Sequence, residues 1–346
     1  MYDDLVQFHF DVLIQVGADQ ETADAVSKGL SEASLRGVDS HGARLFPHYI
    51  RSAQGGRKNP RPSYKFTQKF PAIGLLDADN TFGHAAGMKA IDHGIKMASE
   101  YGMGAVGVRN SSHPGAMASF TLKAARQGYI AMAFTHAPAK ILSSNGKRSF
   151  FGTNPICIAV PREEQEPYCL DMATSMISWN KLLLYQSTRE ALPEQVAGDR
   201  EGLMTTDPHQ ASHLMPAGGY KGYGLASMVE ILCGIYTGML FGPHLPPIHG
   251  SPMDRPRHLA QFYWVLRADG CVPQDTFIQL MQQMTDEVRS EPAQPGETVM
   301  LPGDPEIQEA ARRRIDGIPL DPKTAGEFEN LSQQFKVPLH LLEGDH

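Results

Sequence analysis

The fold of this chain is decided around Leu35-Arg36-Gly37-Val38-Asp39-Ser40-His41-Gly42, which places a hydroxyl beside an imidazole at a bend flanked by glycines. An imidazole has a pKa of about 6.5, so His41 can exchange a proton near neutral pH. Arg44 follows three residues after His41, and a guanidinium can hold a carboxylate through two parallel hydrogen bonds. Taken alone, the pattern is more typical of a helix-capping serine, a surface histidine and an exposed arginine.

Three further motifs give that stretch its significance, namely Asn110-Ser111-Ser112-His113-Pro114-Gly115, Gly152-Thr153-Asn154-Pro155 and Gly218-Gly219-Tyr220-Lys221-Gly222-Tyr223-Gly224. The first follows a predicted strand and precedes a predicted helix, a corner where backbone N–H groups and side chains face a cleft. The third opens a predicted helix, and Lys221 there suits a phosphate or a carboxylate. Because no Ser or Thr follows Lys221, a Walker A site is excluded. Each motif alone is also typical of an ordinary turn.

A fourth motif, Gly102-Met103-Gly104-Ala105-Val106-Gly107, matches the GxGxxG dinucleotide fingerprint but occurs in the wrong context. The fingerprint requires a strand before the glycines and a helix after them, so that a phosphate meets the helix N-terminus. Here a predicted helix precedes the glycines and an apolar strand follows. We therefore interpret Gly102 as a helix C-cap and predict no Rossmann site.

Composition limits the class of protein. The chain has 346 residues, with 41% hydrophobic and 20% charged residues, as in a soluble globular protein with a large core. Its net charge is -7 and its densest basic cluster is Arg312-Arg313-Arg314, which we interpret as a solvated helix face. DNA or RNA binding is therefore not predicted. No apolar run is long enough to span a membrane and no signal-peptide pattern is found, which predicts a cytoplasmic protein.

The four cysteines are not spaced as metal ligands, and we predict that they are reduced. No HExxH motif or Cys/His cluster occurs, so no metal site is predicted. Residues 3–56 have a helical pattern, while strands and helices alternate from residue 71 to 270. The predicted strands are 73–76, 105–108, 130–134, 156–160, 168–170 and 262–266, and the predicted helices are 87–100, 116–127, 225–237 and 306–316. The Pro-rich segment 243–256 is predicted to be a loop of the kind that often lines a site.

The ordered set of motifs resembles the malate/L-lactate dehydrogenase family of the non-Rossmann type, which includes ureidoglycolate dehydrogenase, diketogulonate reductase, sulfolactate dehydrogenase and piperideine-2-carboxylate reductase. Each motif is weak, but together they follow the order of the family from about residue 5 to 340. The matching stretches are 36–42, 108–113, 152–156, 170–175, 205–208, 221–225 and 302–306.

The resemblance implies an α/β fold: a non-Rossmann NAD(P)-binding domain with a mostly antiparallel mixed sheet, and a helical domain formed by both chain ends. The expected division is a helical domain at 1–70, completed by 295–346, and a dinucleotide-binding and catalytic domain at 71–294. A homodimer is also implied. None of these implications follows from composition or spacing alone.

The resemblance also implies roles for single residues. His41 would donate the proton to the substrate, Ser40 would be its hydrogen-bonding neighbour, and His113 and Thr153 would lie near substrate and nicotinamide. Arg44 would hold the substrate carboxylate. The residues expected to contact NAD or NADP are Gly115, Thr135, Asp171, Met172, Ala173, Lys221, Gly222 and Gly303.

Several positions depart from the family pattern. Many relatives have an arginine four residues after the histidine, where this chain has Leu45, with Arg44 one residue earlier. Relatives often have Asn-His-Phe-Gly where this chain has Ser112-His113-Pro114-Gly115, and Thr-Asn-Ser where it has Thr135-His136-Ala137. The expected reaction is hydride transfer between nicotinamide and C2 of a small 2-hydroxy or 2-oxo carboxylic acid. A cyclic imino-acid reductase and a non-catalytic nucleotide- or metabolite-binding relative remain as alternatives.

Overall fold

The computed structural model describes residues 1–248 and 250–340. Residues 341–346, the end of the predicted helical domain, lie outside the described residues. The helices are α1 (Tyr2–Gln15), α2 (Gln20–Leu35), α3 (Phe46–Gln54), α4 (Gly83–Tyr101), α5 (Ala118–Ala125), α6 (Trp179–Thr188), α7 (Tyr220–Glu230), α8 (Gln274–Ser290), α9 (Asp304–Asp316) and α10 (Pro322–Phe335). The strands are β1 (Lys65–Phe70), β2 (Ile73–Asp77), β3 (Met103–Ser111), β4 (Tyr129–Thr135), β5 (Ile141–Leu142), β6 (Ser149–Phe151), β7 (Ile156–Val160), β8 (Tyr168–Met172), β9 (Ala197–Gly198), β10 (His213–Leu214) and β11 (Leu259–Arg267).

The main sheet has seven strands in the order β1-β2-β3-β11-β4-β7-β8. Its neighbouring strands run antiparallel except for β2 and β3, which are parallel. A small second sheet has the order β6-β5-β10-β9. The predicted mostly antiparallel mixed sheet is confirmed, and all six strands predicted from apolar runs are present.

Helices from both ends of the chain share one core, as predicted. Phe8 of α1, Phe46 of α3 and Phe328 of α10 are fully buried together, with the rings of Phe8 and Phe328 5.2 Å apart. β1 begins at Lys65, so the sheet starts before the predicted boundary at residue 70. The exact division into domains stays a prediction.

The misleading glycine motif has a packing role. Gly102 is the left-handed C-cap of α4, with φ +82° and its N–H bonded to Ala98 O, and β3 follows directly. At Gly104 a Cβ would lie 2.4 Å from Gly94 O, so the glycine lets β3 approach α4 closely. Both observations agree with the interpretation of this glycine motif as a helix end rather than a phosphate-binding loop.

Several elements were not predicted from the sequence, among them β1 and α8. β1 is an edge strand, mostly exposed, so it lacks the apolar alternation of a half-buried strand. α8 buries only Thr285, and its sequence is mostly polar. Among the described helices, none combines the length and the apolar character needed to cross a membrane.

Candidate active site

The bend that carries His41 is held by the far end of the chain. Asp39 to His41 form a single 3-10 turn after α2. Arg313 of α9 donates to both carboxylate oxygens of Asp39, at 2.6 and 2.9 Å, and to Ser34 O at 2.6 Å. This corrects the prediction that the basic triplet is a solvated face: Arg313 is only 6% exposed and fixes the turn beside the site.

His41 is a half-buried imidazole with one hydroxyl partner, Ser40. Its Nδ1 lies 2.9 Å from Ser40 Oγ, and the two share a hydrogen bond. Burial lowers the pKa of His41 to about 4, so the ring is neutral at pH 7. A neutral imidazole in this position can accept a proton from a substrate hydroxyl.

His113 lies opposite His41, immediately beyond β3. The two rings are nearly parallel, with centroids 5.5 Å apart. The hydroxyl of Tyr49 on α3 lies 2.8 Å from His113 Nδ1 and 3.0 Å from the His113 carbonyl oxygen. Since a carbonyl only accepts, a single hydroxyl proton satisfies both contacts when Tyr49 donates to the carbonyl and Nδ1–H donates to Tyr49. Nε2 of His113 then keeps its lone pair.

The histidine pair opens into a cavity of about 440 Å³ between the helices and the ends of the sheet strands. This volume lies in the range of small-molecule and cofactor sites, about 300–1,000 Å³. The predicted site residues on its wall are Ser40, His41, His113, Gly115, Thr153, Asp171 and Ala173. The Pro-rich loop contributes Pro247 and Ile248, as its composition suggested.

The loop that presents Thr153 is fixed by its neighbour Asn154. Asn154 is fully buried; its amide donates to Ala226 O at 2.9 Å and to Glu230 Oε2 at 2.7 Å, and its oxygen accepts from Ala137 N at 3.0 Å. These three hydrogen bonds of Asn154 fix the loop that carries Thr153. Thr153 is therefore positioned by a network that starts in α7.

His136 belongs to the same network and also lines the cavity. Ala260 N donates to His136 Nε2 at 2.9 Å, so that nitrogen carries no proton. Nδ1–H therefore donates to Glu230 Oε1, 3.1 Å away. Both ring nitrogens of His136 therefore have protein partners, and we interpret His136 as a structural residue.

Asp171 lies where β8 faces the start of α5. Its carboxylate accepts from Ala118 N at 2.9 Å, so it occupies the N-terminus of that helix. Desolvation by the surrounding protein raises the pKa of Asp171 to about 6, although hydrogen bonds from the backbone of Met117 and Ala118 act in the opposite direction. Gly115 precedes this helix with φ +73°, and a Cβ there would lie 2.5 Å from His84 Nε2.

Four other residues predicted to contact the dinucleotide are not part of the cavity wall. Gly222, near the start of α7, packs on the loop after β8, where a Cβ would lie 2.9 Å from Thr174 O. Lys221 beside it is exposed. Gly303 caps α9, and a Cβ there would lie 3.1 Å from the backbone nitrogen of Cys169, a cavity residue. Met172 follows Asp171 at the end of β8.

Two predicted site residues, Thr135 and Arg44, are not part of the cavity wall, and their roles stay predictions. Thr135 is buried, and its hydroxyl donates to Ala260 O at 3.0 Å, within the sheet. Arg44 does not face the cavity: its side chain is exposed, and its charge acts on Asp321 of the outer helices. The short 3-10 turn Ala43–Leu45 directs Leu45, not Arg44, towards the cavity.

Sequence reasoning missed three site residues. Tyr49 is completely buried and orients His113. Lys140 lies 3.5 Å above the ring of Trp179, and both line the cavity. Arg257 also lines it, at the end of the Pro-rich loop. The Pro-rich composition of that loop could have indicated Arg257 from the sequence. Tyr49 and Lys140 belong to the site only through contacts between distant segments.

No group of three or more candidate metal ligands occurs within residues 1–248 and 250–340. The four cysteines form no disulfide: Cys157, Cys169 and Cys233 are buried and Cys271 is exposed.

The fold and the cavity define an α/β protein that encloses a histidine pair between a helical layer and a mixed sheet. The chain belongs to the malate/L-lactate dehydrogenase family, a sequence model of which matches residues 1–329. It is 31% identical over 307 residues to the NAD(+) ureidoglycolate dehydrogenase of Escherichia coli K12, covering 88% of both chains. It is also 31% identical over 346 residues to the malate dehydrogenase of Pyrococcus abyssi, covering 97% of this chain and 94% of the relative.

Solved structures agree with this assignment. The malate dehydrogenase of Entamoeba histolytica superposes with a TM-score of 0.92 at 29% identity, covering 98% of both chains. The delta1-piperideine-2-carboxylate reductase of Pseudomonas syringae gives a TM-score of 0.84 at 26% identity, covering 95% of this chain and 98% of that one. The chain is therefore an oxidoreductase of this family.

Proposed function

We propose that this protein transfers hydride between a nicotinamide cofactor and C2 of a small 2-hydroxy or 2-oxo carboxylic acid. The observation that carries the proposal is the pairing of His41 and His113 across one cavity, with Ser40 and Tyr49 orienting the two rings. Oxidation of an alcohol needs a base for the hydroxyl proton, and reduction of a ketone needs an acid at the same place. Malate, sulfolactate and ureidoglycolate dehydrogenases among the relatives support this substrate class.

NAD or NADP is the proposed cofactor, and the cavity offers suitable surroundings. Gly115 presents bare backbone on the wall, and Asp171 and Ala173 also line the cavity. Gly303 packs on Cys169, a residue of the wall, and together with Met172, Lys221 and Gly222 it would contact the rest of the dinucleotide. When bound, the nicotinamide supplies or accepts the hydride.

Residues of this chain transfer the proton. In the oxidative direction neutral His41 takes the proton of the substrate hydroxyl, while Ser40 fixes the ring by its bond to Nδ1. In the reductive direction a protonated His41 donates to the developing alkoxide. Tyr49 holds His113 on the wall of the same cavity, opposite His41.

A cyclic imino acid is the second candidate substrate. It is favoured by the structural similarity to the piperideine-2-carboxylate reductase. A preformed imine is already protonated on nitrogen when it reacts, so loss of His41 would affect it less than a 2-oxo acid. A family member without catalytic activity would bind nucleotide and turn over neither.

The test follows NADH and NADPH absorbance with purified protein and pyruvate, oxaloacetate, a ureido-substituted 2-oxo acid or piperideine-2-carboxylate. Turnover of a 2-oxo acid is the expected result, and it identifies the cofactor as well. Turnover of only the imine would select the second candidate. Nucleotide binding without any turnover would contradict both enzymatic proposals for these acids.

We also propose a homodimer formed through the outer face of α7 and the π-helical turn Ile231–Ile235. Leu225, Ile231, Ile235 and Tyr236 are 41–59% exposed there, which is unusual for large apolar side chains so close together. Light scattering should give twice the chain mass, and Ile231→Asp should give a folded monomer. A wild-type monomer would contradict the proposal. A cytoplasmic location also stays a proposal, supported by the unpaired cysteines.

A further inference from the structure

Two thiols lie side by side at one wall of the cavity. Cys157 of β7 and Cys169 of β8 are on neighbouring antiparallel strands, and their sulfur atoms are 3.9 Å apart. Cys169 lines the cavity. Cys157 is fully buried, is not part of the wall, and has its Sγ 3.0 Å from Thr121 Oγ1 on α5. Because a disulfide has an S–S distance of about 2.0 Å, the two sulfurs need to approach each other by roughly 2 Å to join.

The two thiols differ in their surroundings. Burial raises the pKa of Cys157 well above its ordinary value, and the hydrogen bond with Cys169 and the charge of Asp171 act in the same direction. Cys157 therefore stays a protonated thiol, whereas the thiolate is the form that attacks an oxidant. Cys169 is 5% exposed and belongs to the cavity wall, so a small oxidant that enters the cavity contacts Cys169 first.

We propose that Cys157 and Cys169 are a redox-active pair, which hydrogen peroxide converts into a disulfide from the cavity side. In the first step the thiolate of Cys169 attacks a peroxide oxygen: an S–O bond forms, the O–O bond breaks, and the hydroxide that leaves takes up the thiol proton as water. In the second step the sulfur of Cys157 attacks the sulfenic acid: the S–S bond forms, the S–O bond breaks, and a second water leaves with the Cys157 proton. Two thiols and one peroxide thus give one disulfide and two waters, and dithiothreitol reverses the reaction by thiol–disulfide exchange.

The position of Cys169 couples this bond to the surface expected to hold the dinucleotide. Cys169 N donates to Pro302 O at 3.3 Å, and a Cβ on the next residue, Gly303, would lie 3.1 Å from that nitrogen. Asp171 is two residues further along β8 and therefore on the same face of the sheet as Cys169. Drawing Cys169 towards β7 displaces this part of the wall, so disulfide formation and nucleotide binding oppose each other. This consequence rests on the proposed function, whereas formation of the disulfide does not.

The first experiment detects the bond itself. Cys271→Ser, which removes the exposed thiol, is the parent protein. It is treated with hydrogen peroxide, alkylated under denaturing conditions and digested with trypsin without reduction. Trypsin cleaves between Cys157 and Cys169, which then fall in the separate peptides 149–162 and 163–181, so a bond between them gives one linked mass.

We expect the linked peptide in the parent protein and no oxidation of Cys233, which is fully buried and, among the described residues, contacts no second cysteine. Cys157→Ser should give no link and should accumulate a sulfenic acid on Cys169, detected as its dimedone adduct. Cys169→Ser should give neither the link nor the adduct, because the thiol that faces the cavity is gone.

The second experiment measures the coupling to nucleotide. NAD or NADP at about 100 times its Kd should slow the linking by roughly 10²-fold, because only the unbound fraction then offers Cys169 to peroxide. By calorimetry the linked protein should bind the nucleotide roughly 5- to 150-fold more weakly, the usual range of coupling between two sites, and dithiothreitol should restore the affinity.

The inference is overturned if the parent protein forms no linked peptide, if Cys233 is oxidised as fast as Cys169, or if Cys169→Ser accumulates a sulfenic acid on Cys157. It is also overturned if bound nucleotide leaves the rate of linking unchanged, if the linked protein keeps its full nucleotide affinity, or if dithiothreitol does not restore a lost affinity. A linked peptide in a protein that binds neither NAD nor NADP would instead count against the proposed function alone.

Discussion

Burial lowers the pKa of His9 in the helical core and that of His41 in the cavity, but the consequences differ between the two regions. His9 lies in the helical core, where its ring is 4.1 Å from that of Phe46 and its Nδ1 is 3.1 Å from Ser31 Oγ. Burial lowers the pKa of His9 to about 3 and that of His41 to about 4. A depressed pKa therefore does not mark a site by itself.

The two histidines differ in whether a ligand can reach the ring. His9 is 0% exposed and packed on all sides, so no ligand can reach it. His41 lines a cavity, faces a second imidazole and sits on a turn held from another helix. Protonation of His9 can only destabilise the fold, whereas protonation of His41 can be coupled to a reaction.

The largest expected effect is the loss of turnover in His41→Ala. Removing a general acid or base of this kind typically costs about 10²- to 10⁴-fold in rate. Steady-state kcat with the active 2-oxo acid measures it, and His9→Gln, which keeps a polar partner for Ser31, is the matched control. Comparable activity in the two variants would remove the functional distinction between these histidines.

A smaller loss is expected when the turn under His41 is released. Arg313→Gln removes the two bonds to Asp39, and a displacement of about 1 Å can cost up to 10²-fold in kcat. Arg312→Gln is the control, because within the described residues the neighbouring Arg312 pairs with acids of its own helix, Glu309 and Asp316. An equal change in both variants would mean that the turn does not depend on Arg313.

Tyr49→Phe should lower kcat by about 10-fold, the order of one hydrogen bond lost in a buried site. The phenyl ring keeps the packing against Lys58 and Phe82, while His113 loses its partner at Nδ1. The pH profile of kcat should shift as well, which a purely structural role would not produce. An unchanged profile and rate would show that His113 is oriented without the hydroxyl.

The smallest effect concerns His9 and appears only in stability. The unfolded chain binds a proton at His9 near pH 6.5, but the folded protein does so only near pH 3. Stability is therefore full above pH 6.5 and falls as the pH drops towards 3, by about 1.4 kcal/mol per pH unit for each such histidine. Urea unfolding at pH 7, 6 and 5 should show a shallower slope for His9→Gln, and identical slopes would contradict this account.

Local patterns predicted much of this fold. The strands from β2 to β11 that lie inside the main sheet are marked by apolar runs such as Ile156 to Val160, whose residues are alternately buried and half-buried. The edge strand β1 and the exposed helix α8 were missed because little of either is buried. The order of the motifs was enough to predict the family, which its sequence model confirmed.

The sequence by itself determined that a serine–histidine bend, a second histidine after a strand and a glycine-opened helix occur in one chain, and that Gly102 ends a helix. Only the tertiary structure decided which charges serve the site. Arg44 and Arg313 have the same side chain, yet the first points to solvent and the second supports the His41 turn from 274 residues away. Arg257 joins the cavity wall, and Tyr49 bonds His113, only after distant segments pack together. The direction of a side chain and the neighbours that desolvate it depend on long-range packing, and local sequence does not encode either one.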